Sequence, residues 1–105
     1  MITEVVLWQL PDGMSKAEVT AKFRASIPAW QNQADLMHKA FLFDETTRRV
    51  GGVYVWKTIE AAKEAHGPTF KERIRTNFGA TPEFQYFETP IVIDNQAKQV
   101  VDAAA

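Results

Sequence analysis

The sequence contains two histidines, and one of them, His66, closes a short stretch with helical spacing. Histidine changes its charge near neutral pH, so its position decides whether it can transfer protons. Ile59, Ala62 and His66 are three and four residues apart and therefore share one helical face. Thr58 precedes this helix as an N-cap, and Gly67-Pro68 ends it. We expect His66 at the C-terminal end of a helix, on the side that faces a sheet.

Aromatic side chains, most of them with a polar group, form a second set of candidates at even-numbered positions of the expected strands. If even positions share one sheet face, that face would wall a pocket for a flat aromatic ligand, with Trp30 beside it and both histidines at its edge. The odd positions would then form an ordinary packing surface. The same alternation is typical of a filled core, and His66 could simply interact with the helix dipole. The even-numbered set comprises Trp8, His38, Tyr54, Trp56, Phe84 and Tyr86.

Metal, nucleophile and phosphate-loop motifs are missing from the sequence. The two histidines lie on different expected elements and cannot form a His-x-x-x-His pair, and there is no cysteine. No G-x-S-x-G elbow is present, and the five glycines form neither a G-x-G-x-x-G fingerprint nor a P-loop. We therefore expect no metal and no cofactor.

Composition narrows the class of protein and its partners. A chain of 105 residues with 46% hydrophobic content fits one globular domain, and its formal charge of −1 with scattered basic residues disfavours nucleic acid and acidic membranes. The amino terminus enters an expected strand that contains Glu4, which fits neither a signal peptide nor a membrane span. We expect a soluble cytoplasmic protein, with one domain over residues 1–94 and a tail over residues 95–105.

The first half of the chain predicts one helix between apolar strands. Residues 2–10 predict a central strand, since Val5, Val6, Leu7 and Trp8 are apolar at both odd and even positions. Ser15 and Glu18 form a capping box, and a helix with a buried stripe follows. Pro28 lacks an N–H group and is expected to kink or end this helix near Ser26, which would place Trp30 on a separate short turn. Residues 35–44 and the run from Val50 to Trp56 predict two strands joined by a polar hairpin. The helical stripe comprises Val19, Phe23, Ile27 and Trp30.

The second half predicts two helical segments, a strand and a tail. Thr69 and Glu72 are read as a second capping box, followed by a buried face of Phe70, Ile74 and Phe78 that ends at Gly79. Residues 82–88 predict a strand, and residues 91–93 predict another extended run after Pro90. From about residue 95 we expect a tail that is partly disordered or reaches another subunit.

The element order β-α-β-β-α-β is that of the ferredoxin-like α+β fold, an antiparallel sheet with both helices on one face. The strands carry apolar residues at both odd and even positions, so the sheet face that the helices do not cover would be a large exposed apolar patch. A second copy of the same sheet is its simplest cover. We therefore expect a homodimer.

The segment GGVYVWKTIEAAKEAHGPTFKERI resembles the third strand and second helix of the dimeric α+β-barrel superfamily. The likeness is to the antibiotic-biosynthesis-mono-oxygenase-like proteins, in particular their branch of small, provisionally assigned mono-oxygenases. The matching features are an apolar strand, a polar turn at Lys57-Thr58, an alanine-rich helix, His66, the turn Gly67-Pro68, and Phe70. Weaker likeness at Asp12-Gly13 and over residues 84–93 extends the resemblance along most of the chain.

The resemblance implies a homodimer with sheets packed face to face, and an oxidoreductase that inserts oxygen into electron-rich aromatics without metal or flavin. Such a reaction needs a dry aromatic cavity, a group that removes a proton, and donors that stabilise the anion. His66 is the candidate base, with Tyr54 or Trp8 as donor. Trp8, Trp30, His38, Trp56 and Tyr86 are the candidate substrate-binding residues.

The haem-degrading branch of the superfamily is a poorer match. Its members have an Asn on the first strand, a Trp on the second helix and a His ten residues later. Here the first strand has no Asn, His66 takes the place of the Trp, and Thr76 stands where the His would be. The sequence thus favours a cofactor-independent mono-oxygenase for a small aromatic or polyketide-like compound. A non-catalytic small-molecule-binding or stress-response protein, or an isomerase or lyase that uses proton transfer, remains an alternative.

Overall fold

The computed structural model describes residues 1–103 of the chain. These residues form six strands and three helices, in the order β1 (Ile2–Gln9), α1 (Lys16–Gln31), β2 (Leu36–Phe43), β3 (Arg49–Trp56), α2 (Ile59–Ala65), α3 (Pro68–Phe78), β4 (Glu83–Glu88), β5 (Ile91–Asp94) and β6 (Gln99–Asp102). The main sheet has the antiparallel order β2-β3-β1-β4, and β5 and β6 form a separate hairpin. The ferredoxin-like α+β fold is confirmed, with the second helix divided in two.

The core lies between one face of the main sheet and the helices. Even-numbered residues of β1 and β3 such as Val6, Trp8 and Trp56 are buried there against Val19 of α1 and Phe70 of α3. The two central strands, β1 and β3, are paired over eight residues, from Ile2↔Trp56 to Gln9↔Arg49. The expectation that even-numbered strand positions share one face of the sheet is therefore confirmed for the two central strands.

Helix α1 runs through Pro28 to Gln31, so Pro28 does not end it near Ser26, whereas a kink at this position stays a prediction. Proline removes one backbone donor, but the turn beyond it still closes because the N–H of Asn32 donates to the Pro28 carbonyl at 3.2 Å. The Ser26 hydroxyl adds a bond to the Phe23 carbonyl at 2.7 Å. Trp30 consequently projects from the last turn of α1, where its ring lies 5.2 Å from that of Tyr54.

The boundary between α2 and α3 positions His66. Thr58 caps α2 as expected, because its hydroxyl accepts the N–H of Ala61 at 3.2 Å, and His66 is the C-cap. The second capping box is wrong: α3 begins at Pro68 after Gly67, without a side-chain cap, and Thr69 lies inside the helix. Proline at the first helical position replaces the cap, since its missing N–H needs no partner there. The buried face of Phe70, Ile74 and Phe78 and the stop at Gly79 are confirmed.

The C-terminal residues up to Asp102 are more ordered than expected. Gln99–Asp102 pairs with Ile91–Asp94, and the Asp94 carboxylate holds the turn by accepting the N–H groups of Gln96 and Ala97 at 3.1 and 3.0 Å. Disorder is therefore the wrong expectation for this strand, and contact with another subunit stays a prediction. The end of the tail, residues 104–105, lies outside the described residues.

The second face of the main sheet carries apolar side chains that the helices do not cover. We call it the outward face and define it by five residues. Val5, Leu7, Val53 and Val55 are half-buried, and Phe87 is 54% exposed. Exposed apolar surface of this kind marks an interaction site more often than a free surface.

We expect Gly51→Ala to destabilise the fold by about 3 kcal/mol or more, because core overpacking against backbone has few ways to relax. A Cβ at Gly51 would lie 1.8 Å from the Val6 carbonyl oxygen across the β1–β3 ladder. Gly67→Ala is the control, since a Cβ there is 3.4 Å from the nearest atom, the Glu64 carbonyl oxygen. Denaturant unfolding measures both variants. Equal stability of the two would contradict the close approach of β1 and β3.

Candidate functional site

A buried carboxylate, Glu4, lies at the centre of the sheet on the side that faces the helices. Its side chain is 0% exposed, as is that of His66, whose Nδ1 lies 2.8 Å from Glu4 Oε1. The indole Nε1 of Trp56 donates to the same oxygen at 2.9 Å. A carboxylate removed from water needs such partners, because burying it unpaired is costly. Strands β1 and β3 and the end of α2 therefore meet at one carboxyl group.

His66 is held among aromatic rings with one nitrogen unused. Its ring centroid lies 4.4 Å from that of Phe70, 4.7 Å from Tyr54 and 5.4 Å from Trp30. The Nδ1 contact with Glu4 is at ion-pair distance but is not aligned as a hydrogen bond, and Nε2 has no hydrogen-bond partner among the described residues. Buried polar atoms are usually satisfied, so the unused imidazole nitrogen makes His66 a candidate functional residue.

Two tyrosines lie beside Glu4 on the neighbouring strands. Tyr54 of β3 and Tyr86 of β4 both pair with Glu4 in register. Burial raises the pKa of Tyr86 to about 12, with further contributions from the Glu4 charge and from a hydrogen bond to Glu4. Burial, and then the Glu4 charge, also raise the pKa of Tyr54 well above its usual value. Both phenols stay protonated at neutral pH, so they are hydrogen-bond donors and not bases.

A groove of about 80 Å³ opens between α1, α3 and the main sheet, and we call it the helix–sheet groove. Apolar and aromatic side chains form its walls, and three cationic side chains with one amide stand among its lining. Such a lining is typical of a small-molecule site, although the volume is below the about 300–1,000 Å³ that such sites usually have. The walls include Trp8, Phe23, Trp30, Phe41, Tyr54, Phe70, Ile74 and Phe78, and the polar lining includes Lys22, Ser26, Lys39, Arg73 and Asn77.

Lys39 places its amine inside this groove, above three aromatic rings. Nζ lies 3.7 Å from the ring centroid of Tyr54, 4.2 Å from that of Phe41 and 4.5 Å from that of Trp30. Burial lowers the pKa of Lys39 to about 7, although the charge of Glu4 opposes the shift. The amine thus exchanges its proton near neutral pH, unlike an ordinary surface lysine.

The register of β2 explains why Lys39, and not His38, faces the helices. A shift between Leu36 and His38 places His38 opposite Val55 and Lys39 opposite Tyr54. In β2 the odd positions therefore share a face with the even positions of β3, and His38 is exposed on the other side. The expectation that His38 shares a sheet face with Tyr54 and Trp56 is wrong, because an irregularity of one residue inverts every later side chain of a strand.

The remaining candidates divide into two groups. Trp8, Trp30 and Tyr54 line the helix–sheet groove. Trp56 and Tyr86 instead contact Glu4, and neither lines the groove. His66 lies behind the groove wall, in contact with the rings of Trp30, Tyr54 and Phe70.

Sequence reasoning missed Glu4 and Lys39 as site residues. Glu4 has a signal in the sequence, since an acidic residue stands at an even position of an otherwise apolar central strand. Charged residues at such positions are seldom buried without a partner, so the position of Glu4 predicts a polar partner for its carboxyl group. Lys39 has no comparable signal, because its face depends on the shift in β2.

The comparisons with known proteins define the class of fold first. No family model matches the sequence, and no curated protein sequence matches it significantly. Solved structures do match, among them a variant of MhuD with two manganese protoporphyrin IX molecules bound per active site, and a protein provisionally named an antibiotic biosynthesis monooxygenase from Bordetella bronchiseptica. The fold expected from the sequence resemblance is thereby confirmed.

The individual matches are similar in extent. The MhuD match has a TM-score of 0.67 and 22% identity, and covers 90% of this chain and 99% of that chain. The Bordetella match has a TM-score of 0.63 and 14% identity, over 84% and 96% of the two chains. At these identities the likeness concerns the fold and not the activity.

The residues of this chain do not fit a porphyrin iron held by histidine. The sequence has two histidines, of which His38 is exposed outside the groove and His66 is fully buried against Glu4. Within residues 1–103 no group of three or more acidic or histidine side chains is arranged to hold a metal ion. None of the described helices is long and apolar enough to span a membrane.

We expect Lys39→Met to flatten the pH dependence of stability between about pH 7.5 and 9.5. In that window the unfolded amine binds a proton that the folded amine has lost, because its pKa falls from 10.5 to about 7 on folding. The free energy of unfolding of the wild type should therefore rise with pH, and thermal unfolding across the window measures it.

Lys71→Met is the control for this change, because Lys71 is an exposed lysine at the groove side of α3. It should keep the slope of the wild type. If Lys39→Met also keeps that slope, Lys39 titrates as an ordinary surface amine.

Proposed function

We propose that the protein is a mono-oxygenase that acts without a cofactor on a small aromatic or polyketide-like compound in the helix–sheet groove. The observation that supports this proposal is the buried pair of Glu4 and His66, whose Nε2 is unused and whose ring touches the groove wall. A second candidate function, discussed below, uses the same groove without catalysis.

The pair has the arrangement of a general base. The Glu4 carboxyl group lies 2.8 Å from Nδ1, so a proton on Nδ1 would face it and the lone pair of Nε2 would be left to accept a proton from the substrate. The rings of Trp30 and Phe70 contact His66 and also line the groove. Rotation of one of these rings would connect Nε2 with a bound substrate.

Two donors are available for the anion that this proton transfer creates. The phenol of Tyr54 lines the groove and stays protonated because burial raises its pKa. The indole Nε1 of Trp8 is buried without a hydrogen-bond partner among the described residues. Donors that are already in place stabilise a developing anion without reorganisation.

The reaction balances without a further reductant. Removal of a proton from an activated CH₂ group gives a carbanion, which transfers electrons to O₂ and combines with it as a peroxide. Loss of water then leaves a carbonyl group, so that CH₂ and O₂ give C=O and H₂O. The substrate supplies the electrons, and this chain supplies the base, the donors and a site that excludes water.

We expect His66→Ala to lower oxygen consumption with anthrone- or quinol-like compounds by about a hundredfold or more, the usual contribution of a general base. His38→Ala is the matched control, because His38 is exposed outside the groove and should leave turnover unchanged. Oxygen uptake and product mass are measured together, and circular dichroism checks that both variants fold. Unchanged turnover in folded His66→Ala would remove His66 from the mechanism.

A non-catalytic small-molecule-binding or stress-response protein is the second candidate, because the groove is small and the rings of its wall separate it from His66. In that case aromatic ligands would raise the melting temperature without oxygen uptake or product. An isomerase or lyase would instead form product from the same base in the absence of oxygen. An anaerobic assay therefore separates the three activities.

We also propose that the protein is a homodimer whose outward faces pack together. Four half-buried valine and leucine side chains and Phe87 give this face the apolar character of a dimer interface. The β5–β6 hairpin adds exposed Ile93 and Val100. A second copy would cover the face by symmetry, with the same residues buried on both chains.

Val53→Lys should shift the protein towards monomer, because it places a charge at the centre of the outward face, between Val5 and Ala40 on the neighbouring strands. Light scattering coupled to gel filtration measures the change in mass. Ala25→Lys, on the exposed side of α1, is the control and should leave the mass of the wild type. A wild-type protein that is monomeric at every concentration tested would contradict the proposed dimer.

A further inference from the structure

The amine of Lys39 is placed as a nucleophile within the helix–sheet groove. It rests above the rings of Tyr54, Phe41 and Trp30, and no carboxylate of the described residues lies within ion-pair distance of it. Gly52 leaves the space for it, because a Cβ there would be 2.8 Å from Lys39 Nζ. An amine that lines an aromatic groove without an acidic partner can meet a bound electrophile directly.

We propose that Lys39 forms an imine with an aromatic aldehyde or ketone that carries an anionic group and binds in the helix–sheet groove. In this step the neutral amine attacks the carbonyl carbon and gives a carbinolamine. Loss of water then leaves the C=N bond, so that one amine and one carbonyl give one imine and one water. No oxidant or reductant is needed, and the proposal is independent of oxygenation.

The surroundings of the amine favour its reactive form near neutral pH. Burial lowers the pKa of Lys39 to about 7, against the opposing charge of Glu4 from β1. The ring faces beneath the amine favour the ammonium form, whereas the loss of hydration favours the neutral one. The other ionisable groups that line the groove are Tyr54 of β3, Lys22 of α1 and Arg73 of α3.

The charge of the groove indicates the second feature of the ligand. Its lining contains Lys22, Lys39 and Arg73 but no aspartate or glutamate. Once Lys39 is neutral or bonded to the ligand, two cations remain to pair with a carboxylate or phenolate. Stacking on the aromatic walls would hold the ring of the ligand between these cations and the amine.

The test is reductive trapping with 4-formylbenzoate and cyanoborohydride at about pH 7, followed by peptide mapping of the labelled protein. A neutral amine is required for attack, so we expect Lys39 to label about tenfold or more faster than Lys71, an ordinary exposed lysine. Labelling that is equal at the two lysines, or that spreads over all lysines according to exposure, would overturn the proposal.

Variants locate the adduct without depending on one substitution. Lys39→Met and Lys39→Arg should both lose the fast adduct, and Lys71→Met should keep it. Arginine keeps the positive charge but does not form the imine. The arginine variant therefore still tests the proposal if the methionine variant does not fold. A fast adduct that persists in a folded Lys39 variant would show that another amine reacts.

The anionic group of the ligand is tested with a neutral probe of the same shape. We expect 4-formylbenzoate to label Lys39 several-fold faster than methyl 4-formylbenzoate, and Arg73→Gln to reduce that difference. Equal rates with both probes would overturn the anionic part of the proposal. Trapping needs no oxygen, so its outcome is separate from that of the oxygen-consumption assay.

Discussion

The buried carboxyl group of Glu4 is the constraint on which the helix-facing side of this sheet depends. Removing a carboxylate from water is costly unless its oxygens are paired, so the surrounding elements must bring partners to it. The Trp56 indole and the His66 imidazole both approach Oε1, whereas Oε2 has no hydrogen-bond partner among the described residues, and Tyr86 lies opposite Glu4 on the edge strand. One acidic group on β1 thus fixes the position of β3, β4 and the end of α2 relative to one another.

Glu4 also connects the two parts of the site. On one side it lies 2.8 Å from Nδ1 of His66, and on the other its charge opposes the lowering of the Lys39 pKa that burial causes. Of these two residues, only Lys39 lines the groove. The proposed base behind the groove wall and the proposed nucleophile within it are therefore neighbours of the same carboxyl group.

The sequence predicted those features that depend on neighbouring residues. The cap at Thr58, the buried face of α3 and the stop at Gly79 follow from local spacing and were correct. The position of His66 on the sheet side of a helix end was correct for the same reason. The face of His38 was wrong because register depends on pairing with β3, and the continuation of α1 past Pro28 depends on bonds that a single proline does not remove. Lys39 was missed for the same reason as His38.

The absence of a side chain at Gly52 links two positions that are far apart in the chain. A Cβ at position 52 would lie 2.8 Å from the amine of Lys39 and 3.1 Å from the Tyr54 ring. A larger residue at position 52 would therefore displace the flexible end of the Lys39 side chain from its place above that ring. Among homologues these two positions should vary together, and a glycine at one should accompany a lysine or arginine at the other. The residues at positions 39 and 52 would then distinguish homologues that keep a cation in the groove from homologues in which an apolar side chain takes its place.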